Sequence, residues 1–162
     1  MNKLLFFLLI VFLLKGCKPL SATYDQYSYT QNTSVKVDLL NIVKKGDKPY
    51  SENESEIESV LVKVQKVREY DIHRPNNEIT AKMWDILWNR LQSTKIEGSV
   101  SPHPIGYFPY WKSKNKLNLE FVNDASGQIE EMYNAILELE TNKIKAADAQ
   151  NIINKYSSYS TK

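Results

Sequence analysis

The sequence contains very little cysteine, glycine, proline and histidine for its 162 residues. Its single cysteine, Cys17, cannot form a disulfide within the chain, so packing alone must hold the fold together. Five glycines and six prolines leave little material for long irregular segments, and two histidines offer few metal ligands. We therefore expect one domain of regular secondary structure, with no metal and no cofactor.

Without its first 16 residues, the chain has no excess of positive or negative charge. The formal net charge is +2, but Lys3 and Lys15 lie in the first 16 residues, which contain no acidic side chain. The chain from Cys17 onward therefore carries 19 basic and 19 acidic side chains. Because nucleic-acid binding needs a concentrated basic surface, this balance gives no reason to expect a nucleic-acid partner.

One long apolar run is present, and it stands near the start of the chain. Eleven apolar residues, Leu4 to Leu14, follow a polar start that carries Lys3. As a helix this run would be about 16 Å long, half of the roughly 30 Å needed to cross a bilayer. A positive start followed by a short apolar run and a small residue is typical of a secretory signal peptide, here residues 1–16.

The residues that close this leader resemble the lipobox of bacterial lipoproteins. Leu14, Gly16 and Cys17 match its pattern, whereas Lys15 replaces the small neutral residue usual at its position. The resemblance implies that Cys17 is acylated, with palmitate among its fatty acids, and becomes the new N-terminus. Lys18 after the cysteine, in place of Asp, favours the outer membrane if the cell has two membranes. The chain is thus similar to small bacterial lipoproteins of the cell envelope.

The sequence also offers a second cleavage site. Ordinary signal cleavage after Leu20-Ser21-Ala22 would discard Cys17 and release a soluble secreted protein. Lys18 and Pro19 make that site less favourable, so we predict a lipid anchor. Residues 17–30 are then the lipidated cysteine and a tether, and residues 31–162 form a single helical domain. The tether tyrosines could pack on the domain or lie at the membrane interface: Tyr24, Tyr27 and Tyr29.

Apolar residues recur at helical spacing through most of the remaining chain. They predict helices over about 32–45, 51–72, 78–92, 113–140 and 143–156. Ser51 and Glu54 have the form of a capping box at the start of the second. Trp84 and Trp88 share a face of the third helix and are expected to pack in the core. The fold class predicted is an all-α bundle of four to five antiparallel helices with one long aromatic-rich loop.

That loop is the least regular part of the sequence. Gly98, Pro102, Pro104, Gly106 and Pro109 argue against a regular helix between residues 93 and 113. Four aromatic side chains crowd its second half: Tyr107, Phe108, Tyr110 and Trp111. They could form a lid folded over one end of the bundle, or an exposed surface that binds a partner protein.

No spacing of residues predicts a catalytic centre. His73 and His103 lie in no zinc-binding motif, and no nucleophile or phosphate-binding motif is present. We therefore expect no enzyme, but a helical interaction module held in the envelope by Cys17. The alternative is a small envelope hydrolase or ligand-binding protein with its site under residues 98–111.

Overall fold

The computed structural model describes residues 22–93, 106–141 and 143–158. Within these ranges the chain is all-helical and has no strand, as the sequence predicted. The described helices are α1 Gln26–Val43, α2 Tyr50–Ile72, α3 Glu78–Gln92, α4 Tyr107–Lys114, α5 Leu119–Glu140 and α6 Ala146–Ser158.

The four longest helices form an antiparallel bundle. α1 and α3 each pack against both α2 and α5, which closes a four-helix ring. Their directions follow from contacts at the ends: Ser28 at the start of α1 bonds Asp71 at the end of α2, 2.6 Å away. Arg74, just after α2, bonds Glu140 at the end of α5, so these two helices end at the same end of the bundle. α6 packs along α3 and α5, and α4 lies across one end of the bundle.

The apolar stripes predicted from the sequence face this core. On α1 and α2 the residues at helical spacing are buried, as are Met83, Leu87 and Leu91 on α3. Trp84 is fully buried and meets Tyr133 of α5 edge to face at 5.4 Å, while Trp88 packs partly buried against the core. The predicted core role of both tryptophans is confirmed.

The folded part begins earlier than the predicted tether allows. α1 starts at Gln26 instead of about residue 32, because the Asp25 carboxylate accepts from the backbone amides of Tyr27 and Ser28. Ala22 and Ser28 are buried, and Ser28 bonds Asp71 of α2. Residues 22–30 therefore belong to the helical domain, and the tether predicted for residues 17–30 is too long.

The start of α2 also differs from the prediction. The helix begins at Tyr50 after Pro49, and no side chain caps it. The predicted capping box of Ser51 and Glu54 is therefore wrong; Glu54 instead accepts from Lys112 of α4 at 2.7 Å. The backbone amide of Tyr50, which has no partner within α2, donates to the backbone carbonyl of Asn115 at 2.7 Å.

The aromatic segment is a helix instead of a loop. Pro109 falls in the first turn of α4, where a helix needs no backbone N–H from it. The single long helix predicted for 113–140 is in turn broken at residues 115–118. Asn115 adopts a left-handed backbone conformation, φ 62°, which Asn tolerates better than most residues. The break allows Leu117 to donate its amide to Gly46, 2.9 Å away in the α1–α2 connection.

Candidate functional site

The two ends of the bundle have opposite chemistry. We call one the polar end, defined by Thr23, Asp25, Asp71, Arg74 and Glu140. The other, the aromatic end, is defined by Tyr107, Phe108 and Trp111. Since α2 has 23 residues, the two ends lie about 34 Å apart at 1.5 Å per helical residue.

Asp71 is the centre of the polar end. Only 1% of its surface is exposed, although it is a carboxylate that follows a run of buried apolar residues, 57 to 67, on the inner face of α2. Ser28 Oγ, Asn32 Nδ2 and Trp84 Nε1 all donate to it, at 2.6, 2.9 and 2.9 Å. These three donors come from α1 and α3, so Asp71 joins three helices through charge-assisted hydrogen bonds.

A second group of bonds fixes the first described residues to the same end. Arg74 donates to Glu140 through both terminal nitrogens, at 2.5 and 3.1 Å, and to the carbonyl of Thr23 at 2.5 Å. Glu140 also accepts from the amide of Asp25 at 2.6 Å, and the Asp25 carboxylate accepts from Tyr70 at 2.7 Å. Residues 23–25 are therefore held on the bundle and do not form part of a free tether.

The charges of this end stabilise one another. Burial works against the charge of Arg74, yet the hydrogen bond and the carboxylate of Glu140 hold its pKa above the usual value. The hydrogen bond from Tyr70, together with the amides of Ser28 and Tyr27, holds the pKa of Asp25 below its usual value. The polar end thus consists of paired charges, and Arg74 is not an isolated cation offered to an anionic ligand.

The four aromatic residues predicted as a partner surface lie at the other end, and three of them are buried. Tyr107, Phe108 and Trp111 are 4%, 2% and 0% exposed. Trp111 Nε1 donates to the carbonyl of Lys48 at 3.0 Å, and Tyr107 donates to the carbonyl of Val43 at 2.6 Å. The alternative of an exposed patch is therefore wrong for these three, which close the bundle as a lid.

Part of the aromatic end does remain open to solvent. Tyr110 is half-buried and contacts the ring of Phe121 at 5.1 Å between centroids. Leu119 and Phe121, on the first turn of α5, are 61% and 37% exposed. We call these three side chains beside the lid, of which Tyr110 and Phe121 are in contact, the α5 patch: Tyr110, Leu119 and Phe121.

The candidate groups for catalysis do not gather in the described structure. His73 lies at the surface with 74% of its side chain exposed, and its Nδ1 approaches the carbonyl of Glu69 at 2.8 Å. His103 and most of residues 98–111 lie outside the described ranges. Among the residues that are described, no three His, Cys, Asp or Glu side chains are arranged to hold a metal ion. No observation here favours the hydrolase alternative.

Two open grooves lie on the described surface. One of about 280 Å³ runs between α1 and α2, with Tyr27 and Tyr70 at its polar-end limit. The other, of about 420 Å³, lies between α5 and α6 beside Gly127, Glu131 and Lys155. Lys155 pairs with Glu131 at 2.7 Å, so the charges facing this second groove already have partners within the chain.

Comparisons with known protein families, with curated proteins and with solved structures find no match to this chain. None of the helices in the described ranges is both long enough and apolar enough to cross a membrane.

The polar end is the feature that the sequence analysis missed, although a signal for it exists. On α2 the buried positions 57, 60, 64 and 67 are followed four residues later by Asp71. On α1 the same spacing places Ser28 and Asn32 in line with Val35 and Leu39. Polar residues that continue an apolar stripe predict a buried hydrogen-bonded cluster.

Proposed function

We propose that the protein is a lipoprotein of the bacterial cell envelope, anchored through acylated Cys17, whose helical domain acts as an interaction module. The observation that carries the proposal is the leader: eleven apolar residues that end at Leu14, followed by Gly16 and the only cysteine of the chain. Two or three acyl chains hold a protein durably on a membrane, since each buried methylene contributes about 0.8 kcal/mol.

The start of the folded domain supports cleavage before Cys17 over cleavage after Ala22. Cleavage after Ala22 would remove a residue that is buried in the folded chain. It would also leave Thr23, whose carbonyl accepts from Arg74, as the first residue. Cleavage before Cys17 leaves every one of these contacts in place, so lipoprotein processing is the more compatible with the fold.

The α5 patch is the surface that we propose for a partner protein, in place of the buried aromatic residues. It is apolar and exposed, and it lies at the end of the bundle opposite the residues nearest to Cys17. An anchored domain would present this end away from the membrane, where another envelope protein can reach it. Tyr110 and Phe121 lie together, and contiguous exposed apolar side chains mark interaction surfaces more often than isolated ones do.

The anchor is tested by replacing the cysteine. Cys17→Ser should move the protein from the membrane fraction to the soluble fraction and abolish labelling with radioactive palmitate. Lys18→Ser, one residue further on, is the matched control and should remain labelled and membrane-bound. Membrane association of Cys17→Ser without label would contradict the proposed anchor.

The partner surface is tested separately in cells that carry the anchored protein. Leu119→Asp combined with Phe121→Ser should remove specific cross-linked products, because a charge replaces the most exposed apolar side chain of the α5 patch. Val37→Asp combined with Val62→Ser makes the same kinds of change at two exposed valines on α1 and α2. If both variants lose or both retain the same products, the α5 patch is not the partner surface.

A further inference from the structure

The polar end lies close to Cys17 whatever path the intervening chain takes. Five Cα–Cα steps separate Cys17 from Ala22, and a fully extended chain covers at most about 18 Å over that number of residues. Residues 23–25 are fixed to the bundle by Arg74, Glu140 and Tyr70, so no further length can be drawn from them. A lipid on Cys17 would therefore keep the polar end beside the bilayer.

Three exposed tyrosines lie at this end. Tyr24, Tyr27 and Tyr70 are 51%, 58% and 41% exposed. Tyr27 and Tyr70 touch edge to face at 5.1 Å, and Tyr24 lies 6.2 Å from the ring of Tyr29. We call the three exposed rings on the part of the domain nearest to Cys17 the tyrosine rim: Tyr24, Tyr27 and Tyr70.

Tyrosine suits a surface that meets lipid headgroups. Its ring is apolar while its hydroxyl retains hydrogen bonds, and for this reason tyrosine is enriched where membrane proteins cross the interface. Arg74, the cation bonded to the carbonyl of Thr23, is already paired with Glu140 and Asp25. Contact through the tyrosine rim would thus rest on the aromatic rings and not on Arg74.

We propose that the tyrosine rim docks on the headgroup region of the bilayer and orients the bundle with its polar end toward the membrane. This inference rests on the proposed acylation of Cys17. The helices would then stand away from the surface, and the aromatic end would lie about 34 Å from the polar end along α2. The lipid chain supplies attachment, and the tyrosine rim supplies orientation.

The test uses the lipidated full-length mature protein in phosphatidylcholine vesicles that contain a lipid with a nitroxide on its headgroup. Two variants, each with one added cysteine beside the acylated Cys17, carry a fluorophore at exposed positions, His73→Cys at the polar end and Lys116→Cys at the aromatic end. Quenching should be at least about threefold stronger at position 73, because the two labels are separated by roughly the length of α2.

Tyr24→Ser combined with Tyr27→Ser should then bring the quenching at position 73 down toward that at position 116. Val37→Ser combined with Val62→Ser, which changes two exposed apolar residues midway along α1 and α2, is the matched control and should leave it unchanged. Both double variants should keep the circular dichroism melting curve of the parent.

The outcomes separate the two proposals. Failure of the protein to float with the vesicles would count against the lipid anchor itself. Equal quenching at the two positions in floated protein, or no response to the tyrosine replacements, would overturn the orientation by the tyrosine rim while leaving the anchor standing.

Discussion

The polar and aromatic ends close the same bundle by different means. At the polar end, a buried carboxylate and an arginine–glutamate pair join the helix termini through hydrogen bonds of 2.5–3.1 Å. At the aromatic end, the rings of α4 fill the opening, and their few polar atoms bond backbone carbonyls. Hydrogen-bonded groups define particular partners, whereas aromatic rings contribute mainly buried area. The two ends should therefore respond differently to substitution.

The largest effect is expected from Trp111→Ala at the aromatic end. The side chain is fully buried against Tyr50 and Phe108, so its removal leaves a cavity that should lower the free energy of unfolding by about 3–5 kcal/mol. Urea unfolding followed by circular dichroism measures the loss. Tyr110→Ala, at a half-buried ring of the same helix, should cost clearly less. Equal small losses would mean that Trp111 is a surface residue after all.

Asp71→Ala is the corresponding test of the polar end. It removes the acceptor of three buried donors, which we expect to cost about 3 kcal/mol of unfolding free energy. Asp85→Ala, which removes an exposed carboxylate bonded to Arg68 at 2.6 Å, is the control and should cost less than about 1 kcal/mol. A polar end of no structural importance would give the same small loss for both variants.

Two glycines, Gly46 at the aromatic end and Gly127 on α5, differ in the space around them. A Cβ on Gly46 would lie 2.1 Å from the Tyr107 hydroxyl and 2.8 Å from Val122, so Gly46→Ala should cost about 1–3 kcal/mol. A Cβ on Gly127 would meet nothing within 4 Å, so Gly127→Ala should raise stability by up to about 1 kcal/mol. The thermal midpoints should move in opposite directions; a shift in the same direction would contradict this account.

The smallest expected effects come from two buried tyrosine hydroxyls. Tyr107→Phe loses the hydrogen bond to the carbonyl of Val43 and should cost about 1 kcal/mol. Tyr133, next to the polar end, has a buried hydroxyl with no hydrogen-bond partner among the described residues, so Tyr133→Phe should be neutral or stabilising. Urea midpoints of the two variants would show the difference, and an equal loss in both would contradict it.

The same two hydroxyls predict how stability falls at alkaline pH. Burial raises the pKa of both tyrosines, so the folded state holds their protons more tightly than the unfolded chain does. Their contribution is fully present below the usual tyrosine pKa of about 10 and is lost as the pH rises above it. Each Phe variant should therefore lose less stability than the parent between neutral and strongly alkaline pH.

Periodicity predicted the helical class and the inward faces because apolar side chains at 3.6-residue spacing must be buried together. It failed where local chemistry competed with tertiary contacts. Pro109 looked like a helix breaker, yet in the first turn of α4 it costs no hydrogen bond. The break at Asn115 depends on its bonds to Tyr50, which lies 65 residues away and is not visible in local sequence.

The two ends of the bundle also show why the functional surfaces were harder to predict than the fold. The density of aromatic residues around residue 108 indicated that the segment is important, but not whether its rings face the core or the solvent. Three of the four rings face the core. Asp71, Arg74 and Glu140 are separated by up to 69 residues, so only the fold brings them together. Leu119 and Phe121 belong to an amphipathic helix whose exposed start carries no distinctive motif.

The most direct test of the central claim is the mass of the N-terminal peptide of the mature protein, isolated from the membrane fraction of cells. The lipoprotein account predicts a peptide that begins at Cys17 and carries the added mass of acyl chains. An unmodified peptide that begins at Thr23, or one that still begins at Met1, would contradict it.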